Sequence, residues 1–337
     1  VISAALRPFL PSILTAIVAL LIAFLWSGWD GLFICVLMII LEVGFSFDNA
    51  VINATVMRDM KKKWQQRFLT WGMLISVFGM YFIFPLLIVS VAAGINIIEV
   101  MQLALREPLL YRQHIMAAHT QIDAFGGMFL LMVFLHFILD EGRELHWFKT
   151  LEKHFARLGQ LEAIEIIIAM GLLLALQSFL PEAERLHIMV AGVIGVMLYV
   201  VINSIVSLFQ MKEMRKSAFA KSGLMGFVYL NLLDASFSLD AVVGSFVISD
   251  DIVIIALGLS AGAVFVRSIT MQLVKKNTLA KYVFLEHGAH YAIGALAVIM
   301  LFSLVAPVPE IITGLIGLAF ILASFWSSLR YNRSRRH

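Results

Sequence analysis

The sequence predicts an all-α polytopic membrane protein of about ten transmembrane helices. It also predicts an inverted-topology repeat relating the region of the second helix to that of the seventh. Three observations lead there. The 337 residues are 61% hydrophobic and only 14% charged, against roughly 25% charged for an average soluble domain. The apolar residues fall in long blocks separated by polar punctuation, as a chain that crosses a bilayer repeatedly requires. Finally, the phrase Leu41-Glu-Val-Gly-Phe-Ser-Phe-Asp-Asn-Ala-Val51 returns as Leu233-Asp-Ala-Ser-Phe-Ser-Leu-Asp-Ala-Val-Val243. Both copies place an acid, a Ser four residues on and an Asp six on, the mark of an internal repeat.

Apolar runs of roughly 17–25 residues suffice to cross the hydrocarbon core. They place spans at 9–26, 31–57, 69–93, 123–139, 162–180, 188–209, 223–247, 252–274, 289–306 and 310–328. The first is long enough to span and lacks a small-residue cleavage site, so it reads as an anchor rather than a removed signal peptide. Residues 97–118 have apolar residues at helical spacing but too many charges to span. They are expected to lie at the interface, broken at Pro108. The charged stretch 140–161 reads as a partly helical connector. The chain 1–337 is thus one transmembrane domain, with repeat 1 at about 9–139, the connector at 140–161 and repeat 2 at about 188–328.

Basic residues test this count. With the N-terminus cytoplasmic, 21 of the 25 Lys and Arg fall in inside segments, among them Arg58, Lys61–Lys63, Lys149, Lys153 and Arg330. Only Arg106, Arg112 and Arg185 fall outside, and Arg267 alone lies within a span. Cytoplasmic segments carry such an excess. Ten spans with both termini cytoplasmic is therefore the expected topology. The net charge of +3 reports topology, not nucleic-acid affinity. Cys35 is the single cysteine, which removes disulfide and thiolate-metal frameworks. The second and seventh helices then cross in opposite directions, the arrangement of secondary transporters with a site at the repeat interface.

Glu42, Asp48, Asp234 and Asp240 all sit within predicted spans. Together they would cost on the order of 10 kcal/mol in the bilayer centre unless paired, protonated or metal-bound. Arg267 can neutralise one of them and not four. Glu42 with Ser46, and Asp234 with Ser238, share helical faces. Acids six apart point about 120° from each other on an ideal helix. They therefore line different walls, or the helix unwinds at Gly44–Phe47 and Ser236–Leu239. Carboxylates, Ser46 and Ser238 hydroxyls and the Asn49 amide are hard oxygen ligands. They suit Mn²⁺, Ca²⁺ or Mg²⁺ as a transported substrate. Carboxylates that bind metal in one state can bind protons in the other, which would couple export to protons.

Glu42-x-x-x-Ser46-x-Asp48-Asn49 and Asp234-x-x-x-x-x-Asp240 resemble the two signatures of the TerC-type (tellurium-resistance) integral membrane family. Arg267 and Leu285-Glu-His-Gly288 resemble its later stretches. The similarity covers roughly helices 2 to 9. It implies metal-ion efflux across the cytoplasmic membrane, chiefly of manganese, with a distant link to LysE-type exporters. Here the second phrase runs Asp240-Ala-Val-Val243 where that family's continues Asp-Ser-Ile-Pro, which marks a divergent member.

The remaining polar residues have quieter expected roles. His136 and His290 are solitary and read as packing histidines rather than metal ligands or proton relays. Asn203 and Ser204 read as interhelical hydrogen bonders. His114, His119 and Asp123 read as a solvated face, and Asp250-Asp251 as a polar turn. An enzyme reading, an intramembrane aspartyl protease, needs two Asp on separate helices. Phe47-Asp48 and Leu239-Asp240 lack the Tyr-Asp and Gly-x-Gly-Asp phrases of such enzymes. A membrane protein that binds metal without transporting it is the other alternative. The expectation is a divalent-cation exporter and not an enzyme.

Overall fold

The computed structural model describes residues 7–58, 60–72, 74–140, 142–143, 145–161, 163–213, 251–275, 282–306, 308 and 310–334. It also describes residues 223, 226–228, 230–231, 234, 242, 245 and 248–249. Among the described residues the fold is all-helical, with thirteen α-helices and no strand. Six helices among the described residues are long and apolar enough to cross a membrane: Leu10–Gly44, Lys62–Leu87, His119–Leu139, Glu182–Ser204, Ile252–Val274 and Leu285–Ser303. The protein is a helical membrane protein. The chain divides into two compact units, residues 1–119 with 219–278 and residues 120–218 with 279–337.

The first unit is built on α1 (Leu10–Phe45) and the later helix Ile252–Lys275. Helix α1 is interrupted at Ser27 and at Gly28, where φ is +64°. A glycine takes that conformation without a Cβ penalty. Beyond it the chain folds back. A Cβ on Gly31 would lie 2.7 Å from the Ala23 carbonyl oxygen, whereas eight residues on a straight helix stand roughly 12 Å apart. Helix α1 is therefore two limbs joined by this turn, the second ending at Phe45, short of the end of the expected span 31–57. Leu14, Val18, Leu21 and Leu25 of the first limb are exposed along one face. Their i, i+3/i+4 spacing gives that limb one continuous exposed apolar face. On a water-soluble globule it would be an aggregation surface.

After Ser46 the chain continues as α2 (Phe47–Arg58) and α3 (Lys62–Arg67). Two π-helical stretches follow, Phe68–Gly72 and Ile75–Ile83, and then α4 (Phe84–Ala93). Gly94, at φ +68°, closes α4. The amphipathic segment 97–118 forms two helices rather than one broken helix. They are α5 (Ile97–Arg106), capped by Asn96 whose side chain accepts from Ile98 N at 2.9 Å, and α6 (Pro108–Ala117). Pro108 stops α5 because it cannot donate or fit within a helix, yet it suits the first turn of the next.

Val100, Ala104, Tyr111 and Ile115 of this pair bury their apolar face in one cluster with Met38, Val89, Ile255 and Leu259. Burial raises the Tyr111 phenol above its usual range.

In the second unit, α7 (His119–Leu139) is buried along most of its length. Around it stand α8 (Lys149–Leu158), α9 (Ile164–Leu176) and α10 (Glu182–Glu213). Helix α11 is the Ile252–Lys275 helix of the first unit, and the second unit resumes with α12 (Leu285–Ser303) and α13 (Glu310–Ser334). Small residues set the approaches here, as expected where lipid removes the hydrophobic drive between helices. Gly127 of α7 faces Leu301 of α12, a Cβ there lying 3.1 Å from its side chain. The Gly192 Cα on α10 abuts Leu173 of α9.

Candidate functional site

Both limbs of α1 pack along α11, and this places the first acidic phrase. In the first limb Ser12 donates to the Val264 carbonyl at 3.0 Å, and Trp26 Nε1 donates to Asp251 Oδ2 at 2.9 Å. In the second limb Gly31 lies near Ile254, Met38 against Gly258 and Glu42 against Gly262. The second limb thus runs parallel to α11 and the first antiparallel. Gly258 and Gly262 form a small-xxx-small stripe, and Glu42 fills the space a side chain at 262 would take.

Glu42 is only 4% exposed. Its Oε1 accepts from the Ser46 hydroxyl at 2.8 Å and from the Tyr81 hydroxyl at 3.0 Å. Helix α1 ends at Ser46, whose φ and ψ of −91° and 17° are non-helical. The break falls within the Gly44–Phe47 window that the sequence marks. Asn49, on the far side of the break, is buried. Asp48 lies in α2, and its side chain, like Ser238 and Asp240, lies outside the described residues.

Asp234 is helical and buried. Its carboxylate accepts from the Arg267 guanidinium, and its Oδ1 also accepts from Asn53 Nδ2 at 2.8 Å. Arg267, 5% exposed, donates in addition to the Phe68 carbonyl at 3.2 Å and the Gly72 carbonyl at 3.5 Å. Its guanidinium lies over the Phe68 ring at 3.8 Å, a cation–π contact. Both carbonyls belong to the π-helical stretch, a feature that recurs at functional sites. Tyr81, the partner of Glu42, also lies in electrostatic range of Arg267. Gly262 and Arg267 are five residues apart, about 7.5 Å along the helix axis. They stand about 140° apart around it, and Tyr81, which donates to Glu42, is what links the two groups.

Of the predicted site residues, the structure brings Glu42, Ser46, Asn49, Asp234 and Arg267 into one unit, all buried. Among the described residues no three His, Cys, Asp or Glu converge as a metal site. Sequence reasoning missed Asn53 and Tyr81. Asn53 carried a usable signal, standing four residues after Asn49 and so on the same helical face. Tyr81 carried none in its apolar run.

The second unit corrects two expectations. His136 is not solitary, because its Nδ1 lies 3.0 Å from Glu165 Oε1. Asp123 is not on a solvated face. It is buried and accepts from the Ser303 hydroxyl. The connector contains a buried carboxylate, Glu152, which accepts from Trp147 N, Phe148 N and Tyr291 Oη, each at 3.1 Å. His146 and His287 approach the same carboxylate at 3.4 and 3.6 Å. Nearby, burial pulls the Arg143 guanidinium below its ordinary range. His290, by contrast, bonds within its own helix to the Glu286 carbonyl and stacks on Phe137 at 3.8 Å. It is a packing residue, as expected. Asp251 is a helix cap rather than a bare turn, its Oδ1 accepting from Val253 N at 2.9 Å.

The profile of a family described as "Protein of unknown function (DUF475)" matches residues 47–335. Nothing among curated proteins or solved structures matches the chain.

Proposed function

Starting from a chain that belongs to the DUF475 family, we propose that this protein is a transporter exporting a divalent metal cation, with Mn²⁺ favoured over Ca²⁺ or Mg²⁺. The observation that carries the reading is a second buried carboxylate, Glu42, linked through Tyr81 to the unit's Asp234–Arg267 pair. Intramembrane carboxylates are functional by default because lipid gives them no solvation. A cation entering between them would take carboxylate oxygens from Glu42, Asp234, Asp48 and Asp240. The Ser46 and Ser238 hydroxyls and the Asn49 amide would add neutral oxygens, and such hard donors match hard divalent ions.

In this reading Arg267 acts as the resident counter-ion. It holds Asp234 while the site is empty and yields it when the cation arrives. The helix break at Ser46 supports the same reading, since it interrupts α1 within the first acidic phrase, as the discontinuous helices of transporter sites do. The finer architecture is also proposed: ten spans, an inverted repeat of the 41–51 and 233–243 phrases, and both termini cytoplasmic. So is membership of a divergent branch near the TerC-type and LysE-type exporters. Alternating access, in exchange for protons, would move the ion across the cytoplasmic membrane. No covalent chemistry is assigned.

The test is Mn²⁺ flux in vesicles reconstituted with the purified chain. Glu42→Gln and Asp240→Asn are each expected to abolish metal-dependent flux while the protein still folds. Undiminished flux in both variants would overturn the proposal.

A further inference from the structure

The connector that the sequence marks only as charged forms the wall of a cavity of about 550 Å³ in the second unit. Its polar lining is His146, Lys149, Lys153, Ser327, Arg330 and Tyr331, with no acidic side chain among the lining residues. Glu152, which does not line the cavity, accepts from Trp147 N, Phe148 N and Tyr291 Oη and is approached by His146 at 3.4 Å. Lys149 and Lys153 form no ion pair among the described residues and are exposed. Among the described residues three cations and two hydroxyls thus converge on one space, beside a histidine that faces Glu152 at 3.4 Å. Converging cationic and hydroxyl donors of this kind suit phosphate oxygens.

The depth of the cavity fits a membrane surface. Phe284, which also lines it, immediately precedes the apolar span Leu285–Ser303, and Arg330 lies near the end of α13. Beside it α8 exposes Leu151 and Leu158. Their spacing puts them on one helical face, the pattern of a helix lying in the headgroup layer.

We propose that this cavity binds the phosphate group of an anion at the membrane surface, held by Lys149, Lys153 and Arg330. Two sources share that chemistry, the headgroup of an anionic phospholipid and free phosphate. The experiment measures binding of dihexanoyl phosphatidylglycerol and of inorganic phosphate to the purified full chain in non-ionic detergent. Dihexanoyl phosphatidylcholine is the control.

The triple variant Lys149→Gln, Lys153→Gln, Arg330→Gln is expected to weaken binding on the order of 100-fold. All three side chains are exposed, so its thermal unfolding should stay at the wild-type value. Ser327→Phe, which fills the cavity and removes no charge, is expected to weaken binding as well. Binding of phosphatidylglycerol without competition by phosphate assigns the headgroup. Equal competition assigns the free ion. Unchanged affinity in the triple variant would overturn the site. Loss in the triple variant with full binding in Ser327→Phe would mean diffuse surface charge, and would overturn it too.

Discussion

Replacing Arg267 with Met removes the guanidinium bonded to Asp234. The guanidinium and the carboxylate are both buried, at 5% and 8% exposure. Removing one member of such a pair costs about 3–5 kcal/mol, because the other charge stays buried without compensation. Asp234 would retain the Asn53 amide at 2.8 Å, a neutral donor that offsets only part of that loss. Asp234→Asn alone should cost a similar amount, since it strands the guanidinium against the Phe68 and Gly72 carbonyls.

The double variant removes both charges. It keeps an oxygen facing Asn53 and should lose only about 1–3 kcal/mol, from the two carbonyls left without their donor. The coupling between the sites is therefore at least about 3 kcal/mol. The assay is equilibrium unfolding of the four proteins in mixed micelles, followed by helical circular dichroism. Additive losses, agreeing within about 0.5 kcal/mol, would refute the claim that Arg267 is there to neutralise Asp234.

Two further expectations concern how α11 is seated. Gly262→Ala would put a Cβ 2.5 Å from Glu42 Cβ, closer than real side chains approach. It should lower stability by about 1–3 kcal/mol through overpacking and shift the midpoint of thermal unfolding downwards. An unshifted midpoint would mean Glu42 does not pack on that stripe. Asp251→Ala removes both the cap of α11 and the acceptor of Trp26 Nε1. A loss of about 0.5–2 kcal/mol is expected, with Asp251→Asn recovering most of it in the same melt. Equal losses in the two variants would count against the capping role.

Much of the first unit was legible in the sequence because its determinants are local. The apolar blocks, the helix stop at Pro108 and the break beside Ser46 each follow from the residues at that place. The same holds for the burden of Glu42, Asp234 and Arg267, since charge within an apolar run needs a partner wherever the run folds. What tertiary structure alone decided was the identity of the partners.

Asp234 and Arg267 are brought together by helices far apart in sequence, and the Phe68 and Gly72 carbonyls turn to the guanidinium through a π-helical winding that has no residue signature. Tyr81 reaches Glu42 from an apolar run that marked it as filler. Glu152 read as part of a solvated connector, yet it is 2% exposed. Two backbone amides, a phenol and two nearby imidazoles surround that carboxylate. A carboxylate's hydration can be replaced by donors from anywhere in the fold. Composition therefore announces that a buried charge must be satisfied, and only the packing of distant helices settles by which groups.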